Sequence, residues 1–173
     1  MKSNELSVYN PFTEEVAFSE PLLPAGEVDA VVARARKAFQ AWGTQPIEVR
    51  KALCERFLEA FEARGEEIAA EVTLQMGKPL SQARNEVRGT LERARHMIDI
   101  AEATLKDEYL REKPGFMRYI RHEPLGVVLD IAAWNYPLLI AVNVVVPAVL
   151  AGNAVILKHS SKTPLCGRAF TRA

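Results

Sequence analysis

Residues 122–164 read HEPLGVVLDIAAWNYPLLIAVNVVVPAVLAGNAVILKHSSKTP, and this stretch decides the fold. Leu125 to Ile131 is a short apolar run rich in β-branched residues, preceded by Pro124, which predicts a strand buried on both faces. Trp134 to Pro137 interrupts it. The apolar run from Leu138 to Leu150 is too long for an ordinary strand, and Gly152-Asn153 supplies a helix stop before a second β-type run, Ala154 to Leu157. The order strand, helix, strand predicts a βαβ unit. Open α/β sheets bind ligands beyond the carboxyl ends of their strands, so the residues to watch are Trp134-Asn135 and Lys158 to Ser161.

Outward from this unit, Pro114-Gly115 marks a turn, and Phe116 to His122 mixes aromatic, β-branched and basic residues as a partly exposed edge strand does. Further back the periodicity is helical. From Ser81, the residues Val87, Leu91, Ala94, Ile98, Ala101 and Leu105 recur at fours and threes, with His96 beside the stripe. A shorter helix from Glu66 to Met76 buries Ile68 and Val72. Gly77 supplies its left-handed terminating residue, and Lys78 reads as the cation capping its carboxyl end. Leu53, Phe57, Leu58 and Phe61 define a helix begun near Pro46 and stopped at Gly65; Cys54 lies in its stripe as an inert core residue. Val28, Val31, Val32, Ala35, Phe39 and Trp42 line one face of a helix spanning Glu27 to Trp42. Before that, Asn10-Pro11 begins a turn, and Thr13 to Phe18 is either half of a short hairpin or an extended arm.

Composition narrows the function classes. With 22 Lys+Arg against 22 Asp+Glu and no basic cluster interleaved with aromatics, nucleic acid is not an expected partner. MKSNELSVYNPFTEE is polar where a secretory signal needs an apolar core, which predicts a cytoplasmic protein. The two cysteines, Cys54 and Cys166, have neither disulfide-framework nor zinc-ligand spacing, and no metal site is expected. Pro137 to Leu157 approaches the length of a membrane span, but Asn143, Pro147, Gly152 and Asn153 break it, so a buried helix kinked at Pro147 is expected.

WNYP after a buried strand, then PAVLAGNAVILK, then KTPL, resembles the aldehyde dehydrogenase superfamily, and the match extends back through EPLGVV and MGKPL to NPFTEEV. The wording VNVVVPAVLAGNAVILKHS is similar to bacterial semialdehyde-type members. The resemblance implies an α/β fold: an amino-terminal helical segment followed by the first βαβ of a Rossmann-like cofactor domain, incomplete. It divides the chain into an arm and helices (1–113), an edge strand of the oligomerisation region (114–123) and the βαβ start (124–173). It also implies oxidation of an aldehyde or semialdehyde to its carboxylic acid with NAD or NADP, in a homo-oligomer.

The family's nucleophilic cysteine and glutamate base lie downstream of the matched part. The expectation is therefore an amino-terminal fragment, truncated and inactive alone; the alternatives are a non-catalytic interaction or assembly module, or a stand-alone nucleotide-binding domain. By resemblance Asn135 donates its side-chain N–H to the alkoxide, whereas by spacing alone it caps the following helix or shapes the turn. The cofactor would be held by Ile131, Ala132, Ala133, Trp134, Asn135, Lys158, Ser160 and Ser161, with Lys158 reaching the adenosine ribose; a solvated strand-end lysine is the other reading of Lys158. Ala133 stands where the family commonly has proline, which loosens that turn. Ser161 stands where many members have an acid that repels a 2′-phosphate, and His159, at a frequent proline position, is a candidate third donor to the cofactor. Cys166 has no base in reach and reads as a core residue.

Overall fold

The computed structural model describes residues 5–173; residues 1–4, which open the polar stretch read against a secretory signal, lie outside them. Strands β1 (Glu5–Tyr9) and β2 (Val16–Pro21) pair antiparallel, so the first segment is a hairpin rather than an arm. Asn10 makes its turn: the side-chain Oδ1 accepts the Phe12 N–H at 2.9 Å and the Asn10 carbonyl accepts the Glu14 N–H at 2.8 Å. A single 3₁₀ turn (Ala25–Glu27) leads into four helices, α1 (Val28–Trp42), α2 (Ile47–Ala63), α3 (Gly65–Met76) and α4 (Leu80–Leu105). A two-residue ladder, β3 (Glu108–Tyr109) with β4 (Tyr119–Ile120), precedes β5 (Val127–Ile131), α5 (Pro137–Leu150), β6 (Ala154–Lys158) and α6 (Pro164–Arg172). β5 and β6 run parallel from Val127 opposite Ala154 to Ile131 opposite Lys158. The fold is thus α/β, a helical segment followed by one βαβ unit.

The core is helix against helix. Leu58 and Phe61 of α2, Ile68 and Val72 of α3, Val87, Leu91 and Ile98 of α4, and Leu138, Val142, Val146 and Leu150 of α5 form one buried cluster, joined by Cys166 and Ala169 of α6. Each large side chain buried there contributes about 1.5–3 kcal/mol. Phe61, fully buried, meets Phe57 and Phe170 at ring-centroid distances of 5.5 Å each.

Helix α5 is fastened at its carboxyl end by groups from distant elements. Its last carbonyls have no partner within the helix. Ala148 O accepts from Asn153 Nδ2 (3.1 Å), Val149 O from Trp42 Nε1 (3.0 Å) and Leu150 O from Arg50 Nη1 (2.7 Å). Asn153 also accepts the Gly126 N–H at 2.9 Å, tying the helix end to the start of β5. Gly152 sits at φ +89°, a backbone conformation that favours glycine, with Arg50 Nη1 2.9 Å from where a Cβ would stand. Pro147 lies inside α5 without ending it.

Five expectations are corrected. Leu129 (59% exposed) and Ile131 (69%) show that β5 is not buried on both faces. Residues alternate across a strand: Leu157 lines a groove with Val145 and Val149, and its ladder partner Asp130 is buried on that same side, while Leu129 and Ile131 face away. The strand expected over Phe116 to His122 is only Tyr119–Ile120, because its partner contributes two residues. The α1 stripe is half-buried at best, and Val28 is exposed, since α1 lies over the sheet rather than in the core. Gly65 opens α3 instead of ending α2, which closes at Ala63. The first strand begins at Val127, two residues later than the apolar run from Leu125 suggested. No helix among the described residues is long and apolar enough to cross a membrane.

Candidate functional site

Two loops leave the carboxyl ends of the parallel strands, residues 132–136 after β5 and residues 159–163 after β6. Each leads into a helix with proline in its first turn, Pro137 and Pro164, where the missing N–H costs nothing. The flanking residues Tyr136 and Thr163 provide no side-chain cap. The first-turn amides are satisfied instead from the helical segment. Glu86 of α4 accepts the Leu138 and Leu139 N–H groups at 2.9 and 3.4 Å, and Gln75 of α3 accepts the Leu165 N–H at 2.8 Å. Both side chains are buried.

Lys78 corrects another expectation. It does not cap α3, where the Thr73 carbonyl is taken by the Gly77 N–H at 2.9 Å. With Gly77 left-handed at φ +71°, the chain turns away from the helix axis. Lys78 then reaches the Glu86 carboxylate, lies 3.2 Å from the Asn135 carbonyl and sits 4.3 Å from the centre of the Tyr136 ring.

Asn135 is exposed, and its side-chain amide has no hydrogen bond among the described residues. It does not cap α5, whose N-cap is Tyr136. Its neighbour Trp134 is half-exposed, with the Lys162 ammonium 4.6 Å from its ring centre. Ile131 and Ala133 are exposed, whereas Ala132 is buried and its N–H donates to the Lys158 carbonyl at 3.2 Å, continuing the ladder. Lys158 and Ser161 are exposed at the end of β6. Ser160 Oγ accepts the Lys162 N–H at 3.2 Å, shaping the turn. A groove of about 440 Å³ brings Trp134, Ser161 and Lys162 together with Leu6 and Val8 of β1. Ser160 and His159 line a different groove, of about 490 Å³, and Asn135 lines neither.

His159 points inward. Its Nε2–H donates to the Pro137 carbonyl at 3.0 Å, a group that can only accept, and its Nδ1 accepts from the Thr163 hydroxyl at 3.2 Å. Both ring nitrogens are engaged, so the expectation of a third donor to a cofactor fails: the ring ties the second loop to the start of α5. Burial pushes its pKa below the usual histidine value. Nearby Asp130 is buried with Oδ2 unpartnered, and burial pushes its carboxyl up.

Burial also raises both thiols, Cys54 to about 11 and Cys166 to about 12, which keeps them protonated and unreactive. The sequence reading missed Glu86, Gln75 and Asp130. The available signal was an acid or amide on an otherwise apolar face, such as Glu86 three residues after Ala83.

Residues 1–173 match the model of the aldehyde dehydrogenase family. The chain is 35% identical over 166 residues to the succinate-semialdehyde dehydrogenase (NADP(+)) of Deinococcus radiodurans, covering 90% of this chain and 32% of that protein. It is 35% identical over 173 residues to the 3,6-anhydro-alpha-L-galactose dehydrogenase of Streptomyces coelicolor, covering 96% of this chain and 34% of that protein. A solved double mutant of betaine aldehyde dehydrogenase from Staphylococcus aureus, in complex with NAD+, superposes with a TM-score of 0.90 at 27% identity, covering 98% of this chain and 35% of that one. The chain spans about a third of the length of the curated relatives it matches.

Proposed function

Because the chain belongs to the aldehyde dehydrogenase family, we propose that it serves as the amino-terminal third of an NAD(P)-dependent aldehyde dehydrogenase, a cytoplasmic homo-oligomer that oxidises an aldehyde or semialdehyde to its carboxylic acid. The observation that carries this reading is Asn135, an exposed side-chain amide beyond the carboxyl end of β5 with no hydrogen bond among the described residues. When a thiolate attacks an aldehyde, the carbonyl oxygen becomes an alkoxide. An N–H held toward that oxygen strengthens its bond as charge develops, and so lowers the barrier. Neither cysteine here supplies the thiolate, since both are buried and protonated. These residues alone therefore turn over no aldehyde.

In this reading a dinucleotide would lie on the open side of the two loops. When bound, it supplies the hydride acceptor. Ile131, Ala132, Ala133, Trp134 and Asn135 would line one side, and Lys158, Ser160 and Ser161 the ribose end. Lys158 and Ser161 are exposed there, and Ser161 carries no charge to repel a 2′-phosphate, which supports use of NADP as well as NAD. The start of α5 is not offered to the pyrophosphate, because the Glu86 carboxylate occupies its free amides. Residues 114–123, with Phe116, Met117 and Ile120 exposed beside β3, would form part of the surface between copies, and 124–173 begins the cofactor fold.

The test is Asn135→Ala in the complete dehydrogenase. The expected result is a fall in kcat of about 10²–10³, far larger than any change in cofactor affinity. Normal kcat in the variant would overturn the proposal.

A further inference from the structure

Among the described residues Asn135 has no side-chain tether, so its direction is inherited from the backbone on either side. Lys78 and Glu86, from the helical segment, hold that backbone at several points. The Lys78 ammonium donates to the carbonyl of Asn135 itself (3.2 Å) and lies over the ring of the next residue, Tyr136 (4.3 Å to its centre). Glu86 accepts the N–H groups of Leu138 and Leu139. The two side chains bond each other and are 9% and 1% exposed, while the contact with the Asn135 carbonyl lies at the surface. Lys78 is placed in turn by Gly77, where a Cβ would stand 2.9 Å from Pro11 Cγ, and by Pro79 at the start of α4.

A buried ion pair is weak evidence for stability, because two apolar side chains of the same volume often stabilise a fold as well or better. An apolar pair cannot accept two helix amides at one end while donating to the Asn135 carbonyl at the other. Resting on the reading of Asn135 as the oxyanion donor, we infer that Lys78 and Glu86 are positioning residues for the reaction: they aim the Asn135 amide without touching substrate.

The test is the double variant Lys78→Met, Glu86→Gln in the complete dehydrogenase. Methionine keeps the volume, and glutamine keeps an acceptor for the Leu138 N–H. The rate of the acylation burst should fall by about tenfold or more. The Kd for NAD(P) and the number of titratable active sites should stay unchanged, which a merely structural defect would not produce. In an Asn135→Ala background the same pair of substitutions should cost nothing further, because the pair acts through that amide. An unchanged burst rate, or losses that multiply in the combined variant, would overturn the inference. If Asn135→Ala alone leaves the rate normal, the oxyanion reading itself has failed, and the two failures are thereby told apart. Should the double variant fold poorly, Glu86→Gln alone carries the same expectation of a slowed burst and the same refutation.

Discussion

Gln75→Ala tests whether the helical segment holds the second loop. Gln75 Oε1 accepts the buried Leu165 N–H at 2.8 Å, and its Nε2 donates to the Glu71 carbonyl at 2.8 Å and approaches Cys166 Sγ at 3.7 Å. Alanine leaves the Leu165 N–H buried and unpaired, which costs about 1–3 kcal/mol. Loss of the one packed methylene adds about 1 kcal/mol, for a total of about 2–4 kcal/mol. The loss falls on the first turn of α6, which directly follows Ser160 and Ser161, and Cys166 reports on it from inside that turn. Thiol labelling of the folded protein proceeds through local opening, and where closing outruns labelling its rate follows the opening equilibrium. At about 1.4 kcal/mol per factor of ten, labelling of Cys166 should accelerate at least about thirtyfold. Mass spectrometry of the labelled peptides, with buried Cys54 in α2 as internal reference, measures this. An unchanged rate at Cys166, or an equal rise at Cys54, would refute the argument, the second because the loss would then be global.

Ser161→Glu in the complete dehydrogenase should shift preference toward NAD, read as the ratio of kcat/KM for the two cofactors; a wild type that ignores NADP would show the ribose assignment to be wrong. Asp130→Asn should raise stability at neutral pH, because it removes a negative charge that burial disfavours. Burial raises the folded carboxyl's pKa, so the folded state binds its proton more tightly than the unfolded state. The wild-type contribution is therefore lost as pH rises from the ordinary carboxylate range through the raised value. Urea melts should show the gain of Asp130→Asn shrinking as pH is lowered toward about 4, and a pH-independent difference would contradict this. The 173-residue chain by itself should bind a hydrophobic dye or self-associate, given Leu125 at 91% and Ile131 at 69% exposure. A monodisperse monomer that binds no dye would speak against it.

Local pattern carried much of the architecture. The threes and fours of Val87, Leu91, Ala94, Ile98 and Ala101 became the buried face of α4, Gly77 became the left-handed end of α3, and both cysteines proved to be core residues. These depend on spacing and on backbone preferences within a few residues, which one chain displays in full. The exposure of Leu129 and Ile131 was hidden, because a run of apolar residues does not state whether both of its faces are covered. The motif WNYP located Asn135, but spacing alone read its side chain as a helix cap or turn former, and the oxyanion role came only from the resemblance.

What the sequence by itself determined is the apolar stripes of the core helices, their ends to within about two residues, and which two loops leave the carboxyl ends of β5 and β6. Tertiary structure alone decided what holds those loops. Glu86 meets Leu138 across 52 residues, Gln75 meets Leu165 across 90, Lys78 meets Asn135 across 57, and His159 turns to the Pro137 carbonyl instead of outward. Every helix start leaves amides that need an acceptor, and the sequence announces that need. Which distant side chain meets it depends on where the packed helices bring Glu86 and Gln75, and that is settled by the whole core at once.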